Sequence, residues 1–223
     1  MPSVTAEHFL ALSKMFAHVQ APTLQQESIE FGVDDLLRGR CMFASIDALN
    51  SCCEELKQRS PREKGKEHIH LATVYNHLGA TYNLEGSLSS SLAAYKQSLS
   101  IIEKEKGRNS IDCANVLANI ALIYENDGNY YEAIRYYEQA VGICSKHNLK
   151  EGTYANSAFG LGKCYSALKN YTKAIEVYGK ALEYYGQQKG QMYYATITEI
   201  AVAYEGLGED EKANQYYDRL QSH

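Results

Sequence analysis

Residues 119–141 read NIALIYENDGNYYEAIRYYEQAV, and their periodicity decides the fold of the chain. Ile120, Ala121 and Tyr124 share one face at helical spacing, Gly128 and Asn129 interrupt it, and Ala133, Tyr137 and Ala140 restart it on a second face. The stretch predicts two short antiparallel helices joined by a tight turn. Alone, such a hairpin leaves each apolar face half wet, so it needs copies of itself as neighbours.

The copies stand on both sides. Upstream, YNHLGATYNLEGSLSSSLAAYKQSLSI sets Leu78, Gly79, Tyr82, Gly86, Ser91, Tyr95 and Ser98 in the same register. Downstream the register returns as Leu161, Gly162, Tyr165, Lys169, Ala174, Tyr178 and Ala181, and again as Ile200, Ala201, Tyr204, Gly208, Ala213, Tyr217 and Leu220. Tyr82, Tyr124, Tyr165 and Tyr204 follow one another at 42, 41 and 39 residues. All nineteen tyrosines lie between Tyr75 and Tyr217, which places the start of the organised array near residue 70.

Each register position has a physical reason. Gly79, Ala121, Gly162 and Ala201 are small where the two helices of a hairpin cross, and Ala133, Ala174 and Ala213 are small on the second helix. The rings of Tyr82, Tyr124, Tyr165 and Tyr204 are expected to fill the space so left. Gly86, Gly128 and Gly208 fall where the first helix stops, a place that favours a left-handed residue. Asn129 with Glu132 has the spacing of a capping box. Lys169 stands at the stop of the third copy, whose turn is predicted to be the most strained.

The predicted fold class is all-α, a right-handed superhelix or α-solenoid of antiparallel helical hairpins, in one continuous domain. Residues 61–223 hold four repeats, at about 70–104, 111–146, 153–186 and 192–221. Residues 29–60 read as a degenerate hairpin, with Ile46, Leu49, Cys53 and Leu56 on one stripe. Residues 1–28 read as an N-terminal amphipathic helix, TAEHFLALSKMFAHVQ, and a connector, and the charged run RSPREKGKEH as a loop.

This pattern resembles the tetratricopeptide repeat family over residues 70–220. Its period exceeds the family's usual ~34 residues, and the proline that commonly ends its repeat is missing from all four copies. Both departures are similar to the long-period branch that includes the kinesin light chains, as is the run IDCANVLANIALIY. The resemblance implies a protein-interaction scaffold with the first helices on the concave side.

On that side stand Asn76, His77 and Asn83 of the first copy, Asn115, Asn119, Leu122 and Asn126 of the second, and Asn156, Phe159 and Lys163 of the third. The fourth contributes Thr198, Glu199 and Val202. An amide carries both donor and acceptor, so it can bond the N–H and the C=O of an extended peptide whatever the peptide's sequence. Asn119 also matches the asparagine that the family uses on peptide backbone. The family's two-lysine clamp for an acidic C-terminus is not expected, because Lys163 is the one basic residue of the set and Glu199 repels a carboxylate.

Other chemistry is not expected. A net charge of -5 argues against nucleic acid, whose phosphates are bound by Lys and Arg. GLGKCYS lacks the phosphate loop's first glycine, being Ser157 there, and has Cys164 where Ser or Thr must follow the lysine. His68 and His70 lie on different helix faces and His70 and His77 stand two turns apart, too far to share a metal, and the six cysteines have no zinc spacing and read as buried free thiols. The expectation is a non-enzymatic, cytoplasmic adaptor without cofactor or metal. It binds an extended peptide or helix of a partner protein, with no membrane insertion. The alternative is a self-associating structural subunit of a larger cytoskeletal or transport assembly.

Overall fold

The computed structural model describes residues 66–149, 152–187 and 189–221, with helical residues within 46–57. The expected helix and connector at 1–28 and the first half of the expected degenerate hairpin lie outside the described residues, as does Leu56.

Eight helices follow one another: α1 (Lys66–Leu84), α2 (Leu88–Lys106), α3 (Ile111–Asn126), α4 (Tyr130–Lys146), α5 (Gly152–Ala167), α6 (Tyr171–Tyr185), α7 (Gln191–Gly206) and α8 (Asp210–Gln221). The first helix starts inside the run expected to be a loop. Pro61 and Gly65 precede it, whereas Lys66, Glu67 and His68 contain no breaker.

Sequential helices pair as hairpins, α1 with α2, α3 with α4, α5 with α6 and α7 with α8, and the second helix of each packs on the first helix of the next. Successive first helices also approach one another, while second helices of neighbouring repeats do so much less. The stack therefore closes toward the odd-numbered helices, which form its inner face.

The buried clusters straddle the junctions instead of sitting within repeats. Ile120 and Ile143 share one cluster with Tyr95 and Ile102, while Ala133 and Tyr137 share another with Leu161, Tyr178 and Ile200. Ile46, Leu49 and Cys53 cover the other end of the array, packing on Leu71, Val74 and Leu78. Four clusters thus follow one another along the stack, each shared between neighbouring units, as a stack of incomplete units requires.

The aromatic filling differs from expectation. A Cβ on Gly79 would lie 2.7 Å from the Tyr95 ring and one on Gly162 would lie 2.4 Å from the Tyr178 ring. The rings on the small positions thus belong to the second helices: Tyr95, Tyr137 and Tyr178 are all buried. Tyr82, Tyr124 and Tyr204 sit half-buried in the last turn of the first helices, where packing comes from one side only. Tyr124 stacks on Tyr136 and Tyr204 on Tyr216, each at 5.6 Å between ring centres. The buried Tyr165 also lies in a last turn, and its hydroxyl donates to Glu138 at 2.7 Å. In the first repeat Ser91 and Ser98 take the alanine places, and their buried hydroxyls donate to the carbonyls of Gly79 and Ala72 at 2.6 and 2.8 Å.

The helix stops repeat almost identically. Gly86, Gly128 and Gly208 have φ of 76, 75 and 74 degrees, and Lys169 has 59 degrees in the same place. The following N–H returns to the carbonyl of Tyr82, Tyr124, Tyr165 or Tyr204, at 2.8 to 3.0 Å, closing the first helix of each repeat. A side chain in the left-handed region costs roughly 1–2 kcal/mol. Part of this is returned by glycine's greater freedom in the unfolded chain. Lys169→Gly is therefore expected to stabilise the array by about 0.5–1 kcal/mol in urea unfolding. An unchanged midpoint would show that this turn carries no strain.

The second helices of the second and third repeats open on asparagine. Asn129 accepts from the Glu132 N–H and Asn170 from the Lys173 N–H, both at 3.4 Å. The capping box is only half formed, because the Glu132 carboxylate pairs with Arg135 at 2.6 Å.

Candidate binding face on the first helices

The inner face is assembled from α1, α3, α5 and α7. Asn76 and Asn119 come from different repeats and meet there, the Asn119 Nδ2 donating to the Asn76 Oδ1 at 3.4 Å. His77 lies beside Asn76 in the chain, half-buried, and burial lowers its pKa, favouring the neutral ring.

Two further amides are tied to neighbouring helices. The exposed Asn115 accepts from the Thr153 hydroxyl at 2.6 Å, and the exposed Asn156 accepts from the hydroxyl of Tyr185. Asn83 and Asn126 stand in the last turns of α1 and α3. Of the eight candidates, the structure joins Asn76 and Asn119 directly and fastens Asn115, Asn156 and Lys163 to the scaffold.

Lys163 has a partner that sequence reasoning missed. Its ammonium lies 2.5 Å from Oε1 of Glu125, a carboxylate only 8% exposed. The Tyr137 hydroxyl donates to Oε2 of the same carboxylate at 2.8 Å. Burial alone would lower the Lys163 pKa, but the hydrogen bond and charge of Glu125 outweigh it and raise it. Burial and Glu125 together push the Tyr137 hydroxyl far up, so it remains a donor. The adjacent Cys164 thiol is pushed up to about 12 by burial and by Glu125, so it stays protonated.

The signal for Glu125 was present as a repeat. The register tyrosine is followed by glutamate in copies two and four, as Tyr124-Glu125 and Tyr204-Glu205. The hydroxyl of Tyr178 similarly reaches through to the inner face and donates to Glu199 at 3.2 Å. Among the described residues neither Glu199 nor Glu205 takes part in a salt bridge, though the Glu199 charge helps to raise the Lys163 pKa, so the inner face runs from neutral amides at α1 and α3 to acid at α7.

Cys53, Cys113, Cys144 and Cys164 are buried and in no disulfide, and Cys41 and Cys52 lie outside the described residues. Among the described residues no group of three or more His, Cys, Asp or Glu is placed to hold a metal. No described helix is long and apolar enough to cross a membrane.

An α-solenoid of helical hairpins with amides on its inner face is a repeat scaffold of the protein-interaction kind. Three models described as tetratricopeptide repeat match residues 71–112, 110–187 and 198–223, and the chain belongs to the tetratricopeptide repeat family. No curated protein sequence matches it significantly.

Solved structures share the fold at low identity. BtubC (BKLC) from P. vanneervenii aligns with a TM-score of 0.72 and 18% identity, over 83% of this chain and 74% of that one. The nearly identical TPR-like repeats of a kinesin light chain-type protein from Podosopora anserina align with a TM-score of 0.67 and 16% identity, over 83% of this chain and 88% of that one. A Rap protein complexed with Competence and Sporulation Factor aligns at 0.59 with 18% identity, over 96% of this chain and 63% of that one.

Proposed function

We propose that the protein is a non-enzymatic adaptor that holds an extended peptide of a partner protein against the first helices. The observation that carries this reading is the Asn76–Asn119 pair. Their mutual hydrogen bond uses the Asn76 oxygen and one Asn119 N–H, and so leaves the N–H donors of Asn76 and the carbonyl acceptor of Asn119, which is what the C=O and N–H of a peptide backbone require. The packing of the helices needs neither amide, since the junction is already filled by Leu117, Ile120 and Tyr95. Asn115, Asn126, Asn156, Asn83 and His77 extend the surface to either side of the pair. The Rap protein complexed with Competence and Sporulation Factor is a precedent for a ligand carried by an array of this fold.

The test selects a binding peptide from a random library on the wild-type protein and compares its affinity for Asn76→Ala/Asn119→Ala by fluorescence anisotropy. Loss of the paired hydrogen bonds is expected to weaken binding about tenfold or more, with circular dichroism and melting unchanged. Equal affinity for the double variant would overturn the placement of the site.

A further inference from the structure

Tyr95, Tyr137 and Tyr178 hold the same register place in α2, α4 and α6. Each ring leaves an outer helix and runs inward between two first helices. A Cβ on Gly79 would stand 2.7 Å from the Tyr95 ring, one on Gly162 2.4 Å from the Tyr178 ring, and one on Gly160 2.4 Å from the tip of Tyr137. The hydroxyls therefore come out on the inner face. There Tyr137 donates to Glu125 at 2.8 Å and Tyr178 to Glu199 at 3.2 Å.

Tyr95 differs. Asn83 stands in its own repeat where Glu125 stands beside Tyr137, and Asn119 stands in the next repeat where Glu199 meets Tyr178. Both places that supply an acid elsewhere are amides here, and among the described residues no group accepts a hydrogen bond from Tyr95. Burial alone raises its pKa, whereas a glutamate adds to the rise at Tyr137 and Tyr178, so the hydroxyl stays a donor with no charge beside it. The side chain is only 4% exposed. Among the described residues the fully buried side-chain oxygens without a partner are those of Glu85, Ser157 and Ser166, so the unpaired Tyr95 oxygen is the part of the ring that meets solvent.

That oxygen opens at the amide pair. The ring lies on Gly79, one turn from Asn76, and shares its cluster with Ile120, the neighbour of Asn119. Asn76 and Asn119 meet at 3.4 Å across the same gap between α1 and α3.

We infer, on the reading of the amide face as the peptide site, that the Tyr95 hydroxyl selects peptides by donating to the side-chain carboxylate of an aspartate or glutamate. The molecule supplies the precedent twice, because the same hydroxyl takes a glutamate at both other junctions. Glu199 accepts it without a salt bridge, so a neutral donor is enough, and the N–H donors of Asn76 are at hand for the second oxygen. No neighbouring acid opposes the carboxylate. On α3, Asp112 is paired with Lys106 and Glu125 with Lys163. Glu199 on α7 is two helix spacings away, about 20 Å, beyond the Debye length of ~8 Å.

The test selects peptides from one random library on the wild-type chain and, in parallel, on Tyr95→Phe, and titrates the enriched peptides with both chains by fluorescence anisotropy. The variant loses an oxygen that holds nothing in the fold, so its melting should match the wild type. The wild type should enrich Asp or Glu at a fixed position, and the variant should not. The best acidic peptide should bind Tyr95→Phe about tenfold more weakly, and its acid-to-alanine version should bind both chains equally. No acid enrichment on the wild type, or equal enrichment on both chains, overturns the proposal. A tenfold loss shared by the acidic peptide and its alanine version would give the hydroxyl to a main-chain carbonyl and overturn the side-chain assignment. Asn76→Ala/Asn119→Ala separates the two possible failures. Peptides weakened by that double variant but not by Tyr95→Phe leave the amide face standing and overturn the role of Tyr95 alone. Peptides indifferent to both variants overturn both readings, as does a library that yields no binder.

Discussion

Tyr178→Ala is expected to destabilise the protein by about 3–5 kcal/mol, the range for removing a fully buried aromatic ring. For an array of this size that corresponds to a fall in melting temperature of roughly 10 °C. The ring is wholly buried and lies on Gly162, in contact range of Phe159 at 5.7 Å between ring centres. The glycine has no side chain with which to fill the void, and rigid hairpins on both sides limit collapse, so most of the cavity should persist. The hydroxyl adds a loss of its own, because Glu199 gives up a hydrogen bond. Tyr131→Ala is the control. Tyr131 is 75% exposed, so its removal should change stability by no more than about 0.5 kcal/mol. Chemical unfolding of the two variants measures the contrast directly. A cost for Tyr178→Ala as small as that for Tyr131→Ala would mean that the second-helix tyrosines do not hold the repeats together.

That contrast also marks what was legible in the sequence. Small residues, helix stops and the tyrosine periodicity are backbone-level requirements that recur in each copy, so Gly128, Lys169 and the hairpin register could be read directly. Which tyrosine fills which gap could not. Tyr124 and Tyr137 have the same composition and the same period, and the choice between them depends on the direction in which each Cα–Cβ bond leaves its helix at the crossing. The reading gave the role to the first-helix ring, and the structure gives it to the second.

The inner face was legible in part for a different reason. Helical register locates Asn76, Asn119 and Lys163 on one side, but not their partners, which come from other repeats at separations of 43 and 38 residues. Glu125 left only the Tyr-Glu repeat as a signal, and its burial could not be read from that, because a glutamate in the last turn of a helix ordinarily faces water. Its burial follows only from the approach of α5 and from a hydroxyl delivered by α4. Asn115 and Asn156 likewise read as free amides, whereas Thr153 and Tyr185 engage their oxygens.

Lys163→Leu should cost about 2 kcal/mol. Breaking a fully buried ion pair costs about 3–5 kcal/mol because the remaining charge stays desolvated. Here the Lys163 side chain is 46% exposed and that of Glu125 is 6% exposed, so water reaches one partner but barely the other. The penalty of the lysine variant is therefore mostly the stranding of Glu125, with the Tyr137 hydroxyl as its remaining donor. Glu125→Asn should cost less, about 1 kcal/mol, since the released ammonium can turn to solvent and an amide can still accept from Tyr137. The double variant Glu125→Asn/Lys163→Leu installs the residues that hold the same register positions at the first junction, Asn83 and Leu122. Its loss should fall short of the sum of the single losses by about 1–2 kcal/mol, which is the coupling a cycle of four unfolding curves at constant slope reports. Strict additivity would show that Glu125 and Lys163 do not sense each other in solution, and that the repeats are held in register by packing alone. A coupling of the expected size would instead mean that each junction carries its own polar code over a common tyrosine. In that case the order of the repeats is specified chemically as well as covalently, and exchanging the second and fourth repeats would leave Lys163 facing Glu205 without loss.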